Sequence, residues 1–160
     1  MVSDGEDGEG AVAKAESFRA FVAEAEPRLK RALVASFGVE KGIEASADAI
    51  LYGWEHWDRV RNMDNPAGYL YRVGQTRATR RDHRVGMPAP PPDNVPWIEP
   101  GLPAALEALS EQQRTAVLLV HTFGNSFSET AELLGVSKAT VQTHVRRALE
   151  TLRRELGVTL

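Results

Sequence analysis

The stretch of sequence that decides the fold is residues 126–156, SFSETAELLGVSKATVQTHVRRALETLRREL. Ser126 and Glu129 have the spacing of a capping box, in which a hydroxyl and a carboxylate cover free backbone N–H groups at a helix start. Gly135 ends this first helix, because glycine readily takes the left-handed conformation found after helices. Ser137 is then the N-cap of a second helix. A short helix, a tight turn and a long helix together predict a helix-turn-helix.

The second helix carries an apolar stripe at helical spacing, made of Val141, Val145, Leu149, Leu152 and Leu156. Polar and basic side chains lie off this stripe near the N-terminal end, where such a helix enters a DNA major groove. An arginine at this end of the helix pairs with guanine or phosphate, and a glutamine pairs with adenine. For His144, a position facing the groove and a position at the boundary between domains are equal alternatives. The predicted duplex-binding residues are Lys138, Thr140, Gln142, Thr143, His144, Arg146 and Arg147.

The composition is typical of a globular protein, with 160 residues, a hydrophobic fraction of 42% and a charged fraction of 26%. This length allows one domain or two small ones. No apolar run approaches the ~20 residues that span a membrane, and the acidic start is unlike a signal peptide. The chain has no cysteine, which excludes disulfides, argues against zinc fingers and suits a reducing cytoplasm. We therefore expect a cytoplasmic protein.

Charge is distributed unevenly along the chain, whose formal net charge is −3. Residues 1–26 carry a net charge of −5, whereas residues 69–84 and residues 137–154 each carry +4. A single basic island is most often a solvated helix face. Two such islands beside recognisable motifs favour contacts with phosphate groups, so we expect a nucleic acid partner.

The periodicity is helical and strand signals are absent, which predicts an all-α fold of two small helical bundles. Six of the nine prolines lie within residues 87–100, where they favour an extended, semi-rigid linker. The predicted organisation is a disordered acidic tail at 1–14, a first bundle at 15–84, the linker at 85–102 and a second bundle with the helix-turn-helix at 103–158.

Within the first bundle, Pro27 predicts the start of a new helix, because proline lacks a donor and clashes inside a helix. A further helix is predicted over about 44–60 from its apolar pattern. Another is predicted over about 66–84, after the cap formed by Asn65 and Pro66.

Aromatic residues are concentrated between positions 52 and 71, with arginines interleaved among them and following them. Aromatic rings stack on unpaired bases while arginines hold the phosphates, so the pattern favours single-stranded nucleic acid. Aromatics at helical spacing are more often core residues, and Trp54 and Trp57 fit that interpretation. For Tyr69 and Tyr71, core packing and base contact are equal alternatives.

A duplex-binding unit tied to a strand-binding unit resembles the extracytoplasmic-function group of bacterial sigma factors, which consist of sigma domains two and four. The likeness is strongest over residues 54–81, which include NPAGYLYRV at 65–73, and over residues 127–152. The linker falls where that family has its own. The resemblance implies a function in transcription initiation: binding core RNA polymerase, recognising the minus-10 and minus-35 elements and opening the promoter. It also implies promoter DNA and an anti-sigma factor as partners.

The resemblance further assigns roles to particular residues. Residues 138–147 would bind the minus-35 element as duplex. The loop at 61–65 would hold a base flipped out of the minus-10 element, which traps strand opening without nucleotide hydrolysis. Opened-strand contacts would come from Arg61, Asn62, Asp64, Asn65, Tyr69, Arg72, Thr76, Arg77 and Arg80, and core polymerase contacts from Glu44, Ala47, Asp48 and Leu51.

Two departures from the family favour an alternative, a free-standing helix-turn-helix regulator that binds duplex DNA without polymerase. Ala47 stands where the family has a glutamine on its polymerase-facing helix, and TVQTHV at 140–145 also resembles regulators of the LuxR type. No nucleophile elbow and no glycine-rich phosphate loop occur, so neither catalysis nor a cofactor is predicted. The histidines are dispersed without metal-ligand spacing, and no metal site is predicted.

Overall fold

The computed structural model describes residues 4–81 and 95–158, and every regular element within these ranges is an α-helix. The helices are α1 (Asp4–Phe37), α2 (Val39–Glu55), α3 (Trp57–Val60), α4 (Pro66–Arg81), α5 (Leu102–Glu107), α6 (Glu111–His121), α7 (Phe127–Leu134) and α8 (Lys138–Leu156). The helices α1, α2 and α4 pack into a first bundle, and α5 to α8 form a second. The predicted all-α fold is confirmed. None of the described helices is both long and apolar enough to cross a membrane.

The helix-turn-helix is built by the local signals that predicted it. The Ser126 hydroxyl accepts a hydrogen bond from the Glu129 N–H at 3.0 Å, and the Glu129 carboxylate accepts one from the Ser126 N–H at 3.2 Å. Gly135 ends α7 with a φ of 66°, and the Ser137 hydroxyl accepts from the Thr140 N–H at 3.1 Å. These short-range bonds fix where α7 begins and ends and where α8 begins.

The first helix is longer than predicted. The sequence predicts a disordered tail over 1–14 and a new helix at Pro27, but α1 runs from Asp4 through Pro27 to Phe37. The turns at residues 8–13 are exposed, and a helix needs no core there because it satisfies its own backbone groups. An internal proline costs about 3 kcal/mol, and burial of Ala25, Leu29 and Leu33 on either side of it stabilises the continuous helix.

Other boundaries also differ from the prediction. The helix expected over 44–60 begins earlier, at Val39, and is interrupted at His56, where α2 ends and α3 follows. Gly38 separates α1 from α2 with a φ of 89°, a conformation that favours glycine. The last residues of the helix predicted over 66–84, and most of the predicted linker, lie outside the described residues. Residues 95–101 lead without a long regular element into α5.

The two bundles pack against each other around a continuous core. The core cluster includes Leu29 and Leu33 of α1, Leu70 of α4, and Leu106 and Leu119 of the second bundle, each at most 1% exposed. Each bundle alone is too small to bury all its apolar side chains. The contact between the bundles completes that burial.

Tyr71 lies at the centre of this core, fully buried, with its ring stacked 5.0 Å from that of Phe123. Burial, only partly offset by the contact with the Ser36 hydroxyl, raises the pKa of Tyr71 to about 12. Because the pKa of Tyr71 is higher in the folded than in the unfolded state, the neutral phenol contributes fully to stability below pH 10, the pKa of the unfolded state. This contribution is lost as the pH rises towards 12, the pKa of the folded state. Tyr71 is therefore a core residue.

We expect alkali to destabilise the wild type more than a Tyr71→Phe variant, which has no phenol to ionise. Through Tyr71 alone, the free energy of unfolding at pH 11 is expected to be about 1.4 kcal/mol lower than at pH 8. Urea unfolding of both proteins at the two pH values measures this difference, in which all other titrating groups cancel. Parallel losses in the two proteins would contradict the assignment.

Candidate nucleic-acid interface

The N-terminal half of α8 presents the predicted duplex-binding residues on one open face. Lys138, Gln142, Arg146 and Arg147 are exposed. Arg147 makes no ion pair with any residue that the structure describes, whereas Arg146 lies 3.5 Å from the Glu150 carboxylate.

The two threonines of this set are half-buried and bonded locally. The Thr140 hydroxyl lies 2.8 Å from that of Ser137, and the Thr143 hydroxyl donates to the Ala139 carbonyl at 3.1 Å. Their methyl groups and hydroxyls border the open face of α8, so they flank the basic residues.

His144 does not belong to this face, and its prediction as a duplex-binding residue is wrong. Both of its ring nitrogens are shielded from solvent and have no hydrogen-bond partner within the described part of the chain. The imidazole lines a cavity of about 180 Å³ together with Arg72, Gln75, Glu111 and Thr115. The alternative position at the boundary between the bundles is therefore the correct one, because α8 turns this residue towards α4 and α6.

The predicted opened-strand residues divide into an exposed set and a set held in contacts. Arg61, Asn62, Asp64 and Arg80 are exposed around the loop before α4 and at the far end of α4. The Asn62 amide donates to the Asp58 carbonyl at 2.9 Å, which fixes the loop. The half-buried residues are Asn65, Tyr69, Arg72, Thr76 and Arg77.

Tyr69 belongs to a compact group that we call the tyrosine–arginine cluster: Tyr52, Arg59, Tyr69 and Arg77. The phenol oxygens of Tyr52 and Tyr69 lie 3.2 Å apart, and Arg59 donates to Tyr52 at 2.5 Å. The Arg59 guanidinium lies 5.8 Å from the centre of the Tyr69 ring, and the Arg77 guanidinium lies 5.8 Å from that of Tyr52. Aromatic faces bordered by cations match what stacking on unpaired bases requires.

Electrostatics stabilise one charge state of this cluster. Partial burial of the phenol, followed by its hydrogen bond to Tyr52, raises the pKa of Tyr69. Attraction to Tyr69, and then to Tyr52, raises the pKa of the exposed Arg59. The Tyr69 phenol therefore stays neutral and the Arg59 guanidinium stays charged near neutral pH.

Tyr52 and Arg59 were not predicted as site residues. They lie on α2 and α3, and the break at His56 changes the helix direction between them. The Tyr52 ring also stacks on that of His56, with centroids 4.1 Å apart. In an unbroken helix, a spacing of seven residues would place Tyr52 and Arg59 on the same face. Because the helix is interrupted at His56, their positions in the sequence do not predict that both lie beside Tyr69.

The residues predicted to contact polymerase lie on the outer face of α2. Glu44, Ala47 and Leu51 are exposed, and Asp48 is half-buried. Leu51 is 53% exposed and Trp54 39% exposed, so apolar surface on this face is not covered by the rest of the described chain. Trp54 contacts the Phe18 ring at 5.3 Å, which ties the face to α1.

Some of the predicted opened-strand residues face the second bundle. We call this contact the seam: Ser36, Asn65, Gly68, Tyr71 and Gln75 meet Arg114, Thr115, Phe123 and Asn125. The Asn65 amide donates to the Phe123 carbonyl at 2.7 Å and to the Asn125 side-chain oxygen at 2.6 Å. Arg72 donates to Gln75, which in turn donates to Thr115.

Comparison with known proteins identifies the second bundle first. Residues 101–152 match the family model described as sigma-70, region 4, and this range contains α7, the turn and all but the last turn of α8. The RNA polymerase sigma factor CarQ of Myxococcus xanthus is 35% identical over 80 residues. The second bundle is therefore similar to sigma-70 region 4. The predicted resemblance is confirmed, and the second bundle is hereafter called region 4.

The alignment with CarQ covers 50% of this chain and 46% of CarQ, so the chain spans about half the length of that curated relative. Two solved structures have a similar fold over nearly the whole chain. The sigma factor RpoE, in complex with the anti-sigma factor NepR from Bartonella quintana, gives a TM-score of 0.69 at 21% identity and covers 91% of this chain and 99% of its own. CnrH, in complex with the cytosolic domain of CnrY, gives a TM-score of 0.63 at 21% identity, and the match covers 92% of this chain and 94% of CnrH.

Proposed function

We propose that this protein is a sigma factor that binds core RNA polymerase, recognises a two-part promoter and promotes strand opening. The observation that carries the proposal is the match of residues 101–152 to sigma-70 region 4, because it covers the open basic face of α8. The sequence relative named as an RNA polymerase sigma factor supports the same assignment.

Each surface has a distinct task in this proposal. Lys138, Gln142, Arg146 and Arg147 bind duplex at the minus-35 element, with Thr140 and Thr143 at the edge of that face. The tyrosine–arginine cluster and the loop at 61–65 hold opened minus-10 DNA, whose phosphates also meet Arg72, Thr76 and Arg80. The outer face of α2 binds core polymerase through Glu44, Ala47, Asp48 and Leu51. All of these tasks are binding steps, so the protein is not an enzyme and needs no cofactor.

We also propose an anti-sigma factor as a partner and the cytoplasm as the location. RpoE and CnrH, the two similar structures, were each solved as complexes, one of them with a protein named as an anti-sigma factor. A factor that works with core polymerase must reach it where transcription takes place. Capture of the tagged chain from cells, followed by mass spectrometry, identifies the partner directly.

Transcription in a reconstituted system tests the main proposal. Purified chain, core polymerase and fragmented genomic DNA are combined, and the 5′ ends of the transcripts are sequenced. We expect transcripts absent from core polymerase alone, with start sites that share two upstream sequence elements. Duplex binding without any such transcripts would instead establish the free-standing regulator.

A variant of α2 tests the polymerase-binding face. We expect Leu51→Glu to lose most binding to core polymerase, because it places a charge on apolar surface that the partner would bury. Val12→Glu is a matched control, since Val12 is 58% exposed on α1 and Leu51 is 53% exposed. Gel filtration of each variant with core polymerase measures the bound fraction, and equal binding by both variants would contradict the assignment.

A further inference from the structure

The imidazole of His144 lies in a polar cavity in which no described protein group bonds it. Both ring nitrogens are shielded from solvent, and neither has a hydrogen-bond partner within the described part of the chain. At least one of the two nitrogens carries a hydrogen and is therefore a donor. A shielded polar atom without a partner costs free energy, so this cavity favours an occupant that accepts a hydrogen bond from the ring.

Arg72 brings a positive charge to the same cavity. Its guanidinium is half-buried and donates to the Gln75 side-chain oxygen at 2.6 Å, which uses one of the five N–H groups that a guanidinium carries. Arg72 makes no ion pair with a carboxylate of residues 4–81 or 95–158. Because charges removed from water are normally paired, this arginine favours an anionic partner.

The rest of the lining adds neutral donors and little negative charge. Gln75 is 3% exposed and donates to Thr115, which leaves one amide hydrogen of Gln75 for an occupant. Glu111 and Gln112 line the cavity from the first turn of α6, and the N-terminus of a helix is the positive end of its dipole. Glu111 is exposed, so water and salt screen its carboxylate.

The size of the cavity limits what can occupy it. Its volume of about 180 Å³ equals that of about six water molecules, at the ~30 Å³ that each occupies in the liquid. A compact oxyanion such as phosphate fits this space, whereas a whole nucleoside is too large. Leu134 and Val136 close one side with apolar surface.

We propose that this cavity is a binding site for a small free oxyanion of the phosphate class, held by Arg72 and His144. An arginine donates to two oxygens of such an ion at once, and the imidazole N–H donates to a third. The ion joins α4 to α8, so its binding stabilises the folded chain. The inference goes beyond the proposed function, because it concerns a free ion and needs neither DNA nor polymerase.

Titration of the full chain with inorganic phosphate at constant pH tests the site directly. The chain has four histidines, which a long-range 1H–15N spectrum resolves as separate imidazole signals. We expect a saturable shift of the His144 signals, which are identified by their loss in His144→Leu. The signals of the exposed His56 and His121 are the internal reference and should follow ionic strength alone, as a titration with sodium chloride reports.

ATP distinguishes a free ion from the terminal phosphate of a nucleotide. We expect ATP to shift the His144 signals less than phosphate does at the same concentration, because the cavity excludes the nucleoside. A stronger response to ATP would overturn the assignment to a free ion.

Thermal unfolding measures the linked stability. At a phosphate concentration about ten times the dissociation constant, we expect the melting temperature of the wild type to rise by about 3–6 °C. Arg72→Gln should lose this rise, because it removes the charge from the cavity. Arg153→Gln is the matched control and should retain it, since Arg153 is an exposed arginine in the last turn of α8 and both variants change the net charge equally.

Two further results would overturn the inference. The first is a His144 signal that phosphate moves no more than sodium chloride does, and this measurement on the wild type holds even if Arg72→Gln fails to fold. The second is a rise in melting temperature that Arg72→Gln and Arg153→Gln retain equally, because general anion binding would then explain it. Neither measurement contains DNA or polymerase, so its failure is distinct from a failure of the transcription test.

Discussion

Replacing Tyr69 with alanine is expected to reduce promoter opening about fivefold or more while leaving duplex binding unchanged. Stacking of one base on an aromatic ring contributes about 1–3 kcal/mol, which an alanine side chain cannot supply. Tyr69 is half-buried in the tyrosine–arginine cluster, so the variant also removes the surface against which Arg59 is held. Permanganate reactivity of thymines, measured with core polymerase on a promoter fragment, reports the opened fraction.

The variant Tyr69→Phe separates the ring from its hydroxyl. Phenylalanine keeps the stacking face but loses the contact with the Tyr52 hydroxyl at 3.2 Å. We expect it to retain most opening, because the ring supplies the stacking. Opening at the wild-type level in Tyr69→Ala would show that no base stacks there.

The second large effect is expected from Arg147→Ala, which should weaken duplex binding and flatten its dependence on salt. Each phosphate contact contributes about 0.9 to the slope of log affinity against log salt concentration. Arg147 is exposed and makes no ion pair with the described residues, so its charge is available to DNA in the free protein. Titration of the promoter duplex at several salt concentrations measures both the affinity and the slope.

Arg153→Ala is the matched control for this measurement. Arg153 is also exposed on α8 but lies in its last turn, away from the end predicted to enter the groove. Both variants change the net charge by the same amount. If the two variants lower the slope equally, general charge rather than a contact of Arg147 explains duplex binding.

Features that depend on neighbouring residues could be predicted from the sequence. The capping boxes, the glycine after α7 and the apolar stripe of α8 all involve residues within a few positions of each other. Their hydrogen bonds form inside one turn, so the same residues produce them in most surroundings. This is why the helix-turn-helix and most residues of its open basic face were predictable.

Length of helices was harder to predict, because packing overrides local preference. Pro27 would end an isolated helix, yet α1 continues because buried residues on both sides stabilise it. The break at His56 is the opposite case, because α2 ends there although nothing in the local sequence requires a helix end. In both cases the free energy of distant contacts exceeds that of the local signal.

The sequence by itself determined that this is an all-α protein with a basic helix in its helix-turn-helix and an arginine-rich aromatic segment. Only the tertiary structure decided which of those side chains meet. It placed Tyr52 and Arg59 beside Tyr69, buried Tyr71, and turned His144 into the space between the bundles. The physical reason is that periodicity specifies which face of a helix is apolar, but not which distant helix covers it.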